Sequence, residues 1–172
     1  THIIKGSNLK TILDTYYPDK KLQEVIIEIL DNFEKEMKYR PFADAMKFVE
    51  ELNERGIRTC IVTSSSMIKM INAFEQLPGF RDMFDGLITG DMVKNCKPDP
   101  EGYLMAADML GLKPENCYVF EDSLQGIQAG INAGCKVVAL TTTVARERIE
   151  ELEANKIMDS FNGFGVDEML AL

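Results

Sequence analysis

Histidine is almost absent from this chain: His2 is the single imidazole, and there is no tryptophan. That scarcity excludes hydrolysis of the Ser-His-Asp kind, which needs an imidazole base beside its nucleophile. The four cysteines, Cys60, Cys96, Cys117 and Cys135, contain no C-x-x-C pair. Zinc-ligand spacing is therefore missing. Cys60, Cys117 and Cys135 lie in or beside apolar, strand-like runs, where a free thiol packs as a small hydrophobe, so a reduced, cytoplasmic setting is expected. No apolar run approaches the roughly 18 residues that mark a membrane-spanning helix, and no membrane partner is expected. Positive charge is also short: 19 Lys and Arg stand against 28 Asp and Glu, for a formal net charge of −9. A nucleic-acid partner would call for a basic face, so none is expected.

What is present is enough apolar material for a core. Of 172 residues, 45% are hydrophobic, which suits one α/β domain with a small appendage. Leu22, Val25, Ile26, Ile29, Phe33 and Met37 recur at helical spacing, with Glu24, Glu28, Asp31, Glu34 and Lys35 between them. A shorter helix over 8–16 ends before Pro18. Arg40-Pro41-Phe42 breaks the pattern, because a residue before proline avoids helical angles. Residues 1–41 are thus expected to form a helical piece that packs away from the sheet and hinges near Arg40-Pro41, with its Glu24, Glu28 and Asp31 face solvated. Residues 42–172 form the core.

Beyond Pro41, helix and strand alternate. Helices are expected at 42–52, closed by Gly56, then at 67–77, 100–110, 123–133, 144–153 and 166–172. Strands are expected at 57–63, 86–89, 118–120 and 136–140. Alternation at this spacing implies right-handed crossovers and a doubly wound, mostly parallel α/β sheet. Ligands of such sheets bind at the carboxyl ends of the strands.

Three polar groups fall there. Thr63-Ser64-Ser65-Ser66 comes directly after a strand and opens a helix, which suits an anion site; taken alone, a serine N-cap is the favoured explanation. In Lys97-Pro98-Asp99-Pro100, Asp99 and Pro100 are sound N-cap and first-turn residues. Lys97 opposes the helix macrodipole; in isolation it is expected to point into solvent, and an anion at the strand ends would make its placement favourable instead. Glu121-Asp122-Ser123 closes a buried strand with two carboxylates, and capping explains only one of them. Hard oxygen ligands at that place suit Mg²⁺. Behind them Gly126, Gly130 and Gly134 recur every fourth residue, letting a helix approach the sheet.

The order of hydroxyl, lysine and carboxylate pair resembles the haloacid dehalogenase-like (HAD) superfamily, in the group of β-phosphoglucomutase and sugar-phosphate phosphatases. Cys60-Ile61-Val62-Thr63-Ser64 looks like the family's second motif, and Lys97-Pro98-Asp99-Pro100 its third. Val119-Phe120-Glu121-Asp122-Ser123-Leu124-Gln125-Gly126-Ile127 looks like the fourth, and the stretch 4–13 like the start of a helical cap, making 1–41 a partial cap on a Rossmann-like core. The resemblance implies that Ser64, with the Ser65 N–H, binds the transferring phosphoryl group. It implies that Lys97 offsets charge there and that Glu121 and Asp122 hold Mg²⁺. The substrate would be a small phosphorylated metabolite, and the complete protein a monomer.

One departure stands out. The first motif, D-x-D-x-[TV], supplies the aspartate that becomes the aspartyl-phosphate, and it is nowhere in these residues. Asp14-Thr15-Tyr16 is nearest, but it lacks the second aspartate and sits in a helical pattern. The expectation is that the nucleophile lies in an N-terminal segment outside this chain, leaving the chain alone inactive. A non-catalytic interaction module is the alternative. A receiver-like signalling domain fits less well, since its acids precede its hydroxyl and lysine. In the family the first-motif strand lies between the strands ending at Ser64 and Glu121. Those two are therefore expected about twice the usual 4.8 Å strand spacing apart. Their unpaired backbone groups would each cost on the order of 1–3 kcal/mol, so the chain is expected to fold only with that segment, or another chain, in place.

Overall fold

Val137, Val138 and Ala139 have no exposed surface, and their strand sets the layering of the computed structural model, which describes residues 9–172. This strand, β4 (Lys136–Leu140), has parallel neighbours on both sides, β3 (Tyr118–Glu121) and β5 (Lys156–Met158). Side chains alternate across a pleated strand. Accordingly Val137 and Ala139 pack with Ile127, Ala129 and Ile149 on one face, while Val138 and Leu140 meet Phe48, Phe164 and Met169 on the other. Helices α6 (Leu124–Asn132) and α7 (Arg146–Ile149) cover the first face; α3 (Ala43–Glu54) and α8 (Val166–Leu170) cover the second. The result is the doubly wound parallel architecture.

A second parallel pair, β1 (Cys60–Val62) with β2 (Gly86–Ile88), completes the described strands, with α4 (Met67–Gln76) between them in sequence and α5 (Glu101–Met109) against both. The two sheets do not join. β1 and β3 share no ladder, and between them lies an apolar cavity of about 400 Å³, lined on one side by Cys60, Ile61 and Val62 and on the other by Tyr118, Val119 and Phe120. Both inner strand edges therefore face a slot.

Helix ends show why the chain turns where it does. After α3, Gly56 takes φ 68, its N–H bonds Asn53 O at 3.0 Å and the Ile57 N–H bonds Leu52 O at 2.9 Å. That double closure needs a left-handed residue, hence glycine. The same pattern ends α6: Gly134 has φ 78 and nothing within 4 Å of its missing Cβ. Gly134 thus terminates the helix rather than admitting it to the sheet. Close approach falls to Gly130, where a Cβ would lie 2.9 Å from Val137.

Several boundaries differ from the sequence expectation. β1 starts at Cys60, because the residues before it finish the helix closure and then bond Asp85, whose carboxylate accepts from Thr59 N at 2.8 Å. The expected 144–153 helix is cut to α7. β5 was not anticipated, its apolar content being only Ile157 and Met158. N-terminal to the core, α1 (Leu9–Tyr16) and α2 (Lys20–Glu36) are helices as expected, while Ile3, Ile4 and Asn8 lie outside the described residues. Glu24, Glu28 and Asp31 are exposed, but so are Val25, Ile29 and Phe33 on the apolar stripe. α2 reaches the core through polar contacts such as Lys69 Nζ to Glu34 Oε1 at 2.8 Å.

Ile127 is fully buried beneath β4, whereas Leu104 is exposed. Ile127→Ala is expected to cost about 2–5 kcal/mol, and Leu104→Ala under about 0.5 kcal/mol. Urea denaturation of the complete protein measures both.

Candidate active site

Three loops meet at the carboxyl ends of β1 and β3. The first comes after β1. Thr63 N donates to Ile88 O at 2.9 Å, Thr63 Oγ1 accepts from Ser65 N at 3.1 Å, and Ser65 O accepts from Gly90 N at 2.9 Å. A Cβ on Gly90 would lie 2.5 Å from Ser64 O, so only glycine permits this approach. Capping of α4 falls to Ser66, whose Oγ accepts from Lys69 N at 3.3 Å. Ser64 and Ser65 instead line a cavity of about 790 Å³ together with Lys97, Glu121, Asp122 and Thr143. The Ser65 N–H, expected to meet phosphate, is spent on Thr63 within the loop.

The second loop carries Lys97. Glu101 pins it by accepting from Lys94 N and Asn95 N at 2.8 and 2.9 Å, and Asp99 Oδ1 accepts from Glu101 N at 3.0 Å. The lysine side chain is nearly buried; its ammonium donates to Val62 O at 3.3 Å and pairs with Glu121 Oε1. It also sits 4.8 Å from the centroid of the Tyr103 ring.

The third is Glu121-Asp122-Ser123. Glu121 Oε1 takes Lys97 and the Tyr103 hydroxyl, the latter at 3.0 Å. Its Oε2 takes Asp122 N, Ser123 N and Ser123 Oγ, each at 3.0 Å. A Cβ at Gly126 would lie 2.0 Å from the carboxylate, so that glycine makes room for it. Burial pushes the Glu121 carboxyl up, but the Lys97 charge and these hydrogen bonds prevail and hold it below the ordinary carboxylate value. Asp122 Oδ2 accepts from Thr142 Oγ1 at 3.2 Å and from Thr143 Oγ1.

These donors bear on the expected Mg²⁺. Among the described residues no three His, Cys, Asp or Glu side chains cluster as a complete metal shell. Glu121 is saturated by five donors. Asp122, whose Oδ2 accepts from two hydroxyls, is the carboxylate suited to a cation. One or two carboxylates with phosphate and water satisfy Mg²⁺, so the residues fit it as part of a shell.

The structure therefore brings Ser64, Ser65, Lys97, Glu121 and Asp122 into one cavity, as their positions after strands required. Sequence reasoning missed Gly90, Tyr103, Thr142 and Thr143. The threonines come after β4 at its carboxyl end, where the rule that found the others applied equally. Tyr103 had no such signal, being an aromatic on an apolar helix face.

Comparison with known proteins decides the family: the match to the haloacid dehalogenase-like hydrolases runs over residues 7–134. The chain belongs to that family. It is 36% identical over 109 residues to hexitol phosphatase A of Escherichia coli K12, covering 63% of this chain and 50% of that protein. Likeness to the phosphorylated carbohydrates phosphatase of Thermotoga maritima is 34% over 119 residues, 63% of this chain and 55% of that one. The chain thus spans about half the length of these two phosphatases. A β-phosphoglucomutase from Clostridium difficile superposes with a TM-score of 0.82 at 23% identity, over 99% of this chain and 78% of that one, which establishes the shared HAD fold.

Gly126→Ala is expected to displace the Glu121 carboxylate and cost about 1–3 kcal/mol. Gly134→Ala strains a left-handed residue by about 1–2 kcal/mol but leaves the cavity intact. Denaturation midpoints should fall for both variants, with the side-chain NMR signals of Lys97 displaced only in the first.

Proposed function

We propose that the protein containing this chain is a Mg²⁺-dependent phosphatase or phosphomutase of a small phosphorylated metabolite, a sugar phosphate, and that it works through an aspartyl-phosphate. The observation that carries this reading is the convergence of Ser64, Lys97 and Asp122 on one cavity at the carboxyl ends of parallel strands. Ser64 Oγ binds a phosphoryl oxygen and Lys97 offsets the charge that gathers between phosphate and nucleophile. Asp122, steadied by Thr142 and Thr143, holds the metal. Glu121 acts behind it, anchoring Lys97 and the Asp122 backbone. When bound, Mg²⁺ supplies neutralisation of phosphoryl charge.

The slot between β1 and β3 supports a nucleophile from outside the chain. A strand entering it parallel to its neighbours pairs with both open edges and delivers its last residues beside Ser64 and Asp122. An aspartate there attacks phosphorus as the ester P–O bond breaks. A second carboxylic acid two residues on protonates the leaving oxygen. Water then releases phosphate, or a sugar hydroxyl takes the phosphoryl group. The relatives' activities on hexitol and carbohydrate phosphates support that substrate class. Helices α1 and α2 act as part of a cap, and four free cysteines suit a reducing cytoplasm.

Phosphate release by the complete protein, assayed over a panel of sugar phosphates, is expected to require Mg²⁺ and to stop on chelation. Asp122→Asn and Lys97→Ala should each lower turnover by about 10²-fold or more. Near wild-type rates in both variants would sink the assignment. Hydrogen exchange tests the slot: the β1 and β3 amides that face away from β2 and β4, those of Cys60, Val62, Tyr118 and Phe120, should gain protection when the N-terminal segment is present. Equal exchange with and without it removes the strand from this account.

A further inference from the structure

We propose that Tyr103 is the positioning residue of this site, holding Lys97 with its ring and Glu121 with its hydroxyl. The inference rests on the phosphoryl-transfer reading for its consequence, but on geometry alone for its substance. Lysine carries its charge on a flexible four-carbon stem, and holding one rotamer costs entropy. Two contacts already restrain the ammonium, Val62 O and Glu121 Oε1. The Tyr103 ring adds a third contact from α5, its centroid 4.8 Å from Nζ, and presents the electron-rich face that attracts a cation.

The hydroxyl does separate work. It donates to Glu121 Oε1 at 3.0 Å, the same oxygen that receives Lys97. Glu121 Oε2 is held by the backbone and side chain of its own loop. Among the described residues, the tie on Oε1 besides Lys97 itself comes from Tyr103, on another helix. One residue therefore sets both members of the pair relative to α5, whose Gly102 packs against Val62, 3.2 Å from the place a Cβ would take. Ring burial in the core beside Val119 and Ile127 makes this post rigid. Phenylalanine would fill the same core space, so the hydroxyl has no packing purpose.

The test uses the complete protein with ¹³C-labelled lysine. Ring current should move the Lys97 Cε protons upfield of those of the other lysines. Tyr103→Phe should keep that shift and lower kcat about 10-fold, the scale of losing one hydrogen bond to a charged group, with little change in KM. Tyr103→Leu should lose both the shift and most of the remaining turnover. Lys156→Gln is the control: Lys156 makes a similar ring contact with Phe164, 5.5 Å away, and pairs with Glu168, outside both cavities, and its replacement should leave kcat unchanged. Wild-type kcat in Tyr103→Phe overturns the proposal, as does an unaltered Lys97 shift in Tyr103→Leu. Absence of any phosphate-ester turnover in the wild type sinks the proposed reaction instead, and the proton shift then decides the positioning role alone.

Discussion

The ion pair between Lys97 and Glu121 is the constraint around which this end of the molecule is built. Each side chain keeps only about a tenth of its surface exposed, 10% and 11%. Two charges taken this far from water are tolerated only when every remaining donor and acceptor is satisfied. The fold meets that demand with five donors on one carboxylate, a strand-end carbonyl and an aromatic face for the ammonium, and a glycine where any side chain would collide. The pair also borders an open cavity. Its position at the strand ends makes the expense of burial intelligible as preparation for a third charge.

The same pair spans the slot. Lys97 bonds the last carbonyl of β1, and Glu121 is the last residue of β3. The two sheets that share no ladder are thus tied at their carboxyl ends by a salt bridge, while α5 and α6 hold them from one face. Below the tie the inner edges line an apolar cavity. Unpaired backbone edges need hydrogen-bond partners, and the apolar walls beside them disfavour water. What both favour is an extended, apolar segment. Ser64 and Asp122 stand at the carboxyl end of that opening, just past β1 and β3.

Much of this was legible in the residues. The unbroken apolar run of β4 reads as a strand covered on both faces, and its side chains divide between two helical layers. Glycine ends helices where it was expected to, two of the polar groups stand just past a strand end, and Lys97 stands out as a lysine opening a helix. Other parts were not legible, for physical reasons. β5 is too short to carry a period, and exists because β4 offers it an edge. Gly134 looked like one of a packing series, yet its conformation, not its size, is what the chain needs. Tyr103 looked like core and is core; its hydroxyl acquires meaning only when another strand end brings Glu121 to it, which no local pattern records.

The N-terminal helices obey a different balance. No described residue before α3 belongs to either apolar cluster of the core. Their described ties to it are polar: Glu34 to Lys69, and Met37 O accepting from Gln76 Nε2 at 2.9 Å. Such contacts are modest individually and sensitive to salt. Lys69 lies on the wall of the cavity that Ser64 and Asp122 line, while paired to Glu34. The contact that locates the helices is therefore also a surface of the site, and an anion drawn to Lys69 competes directly with the carboxylate that holds them.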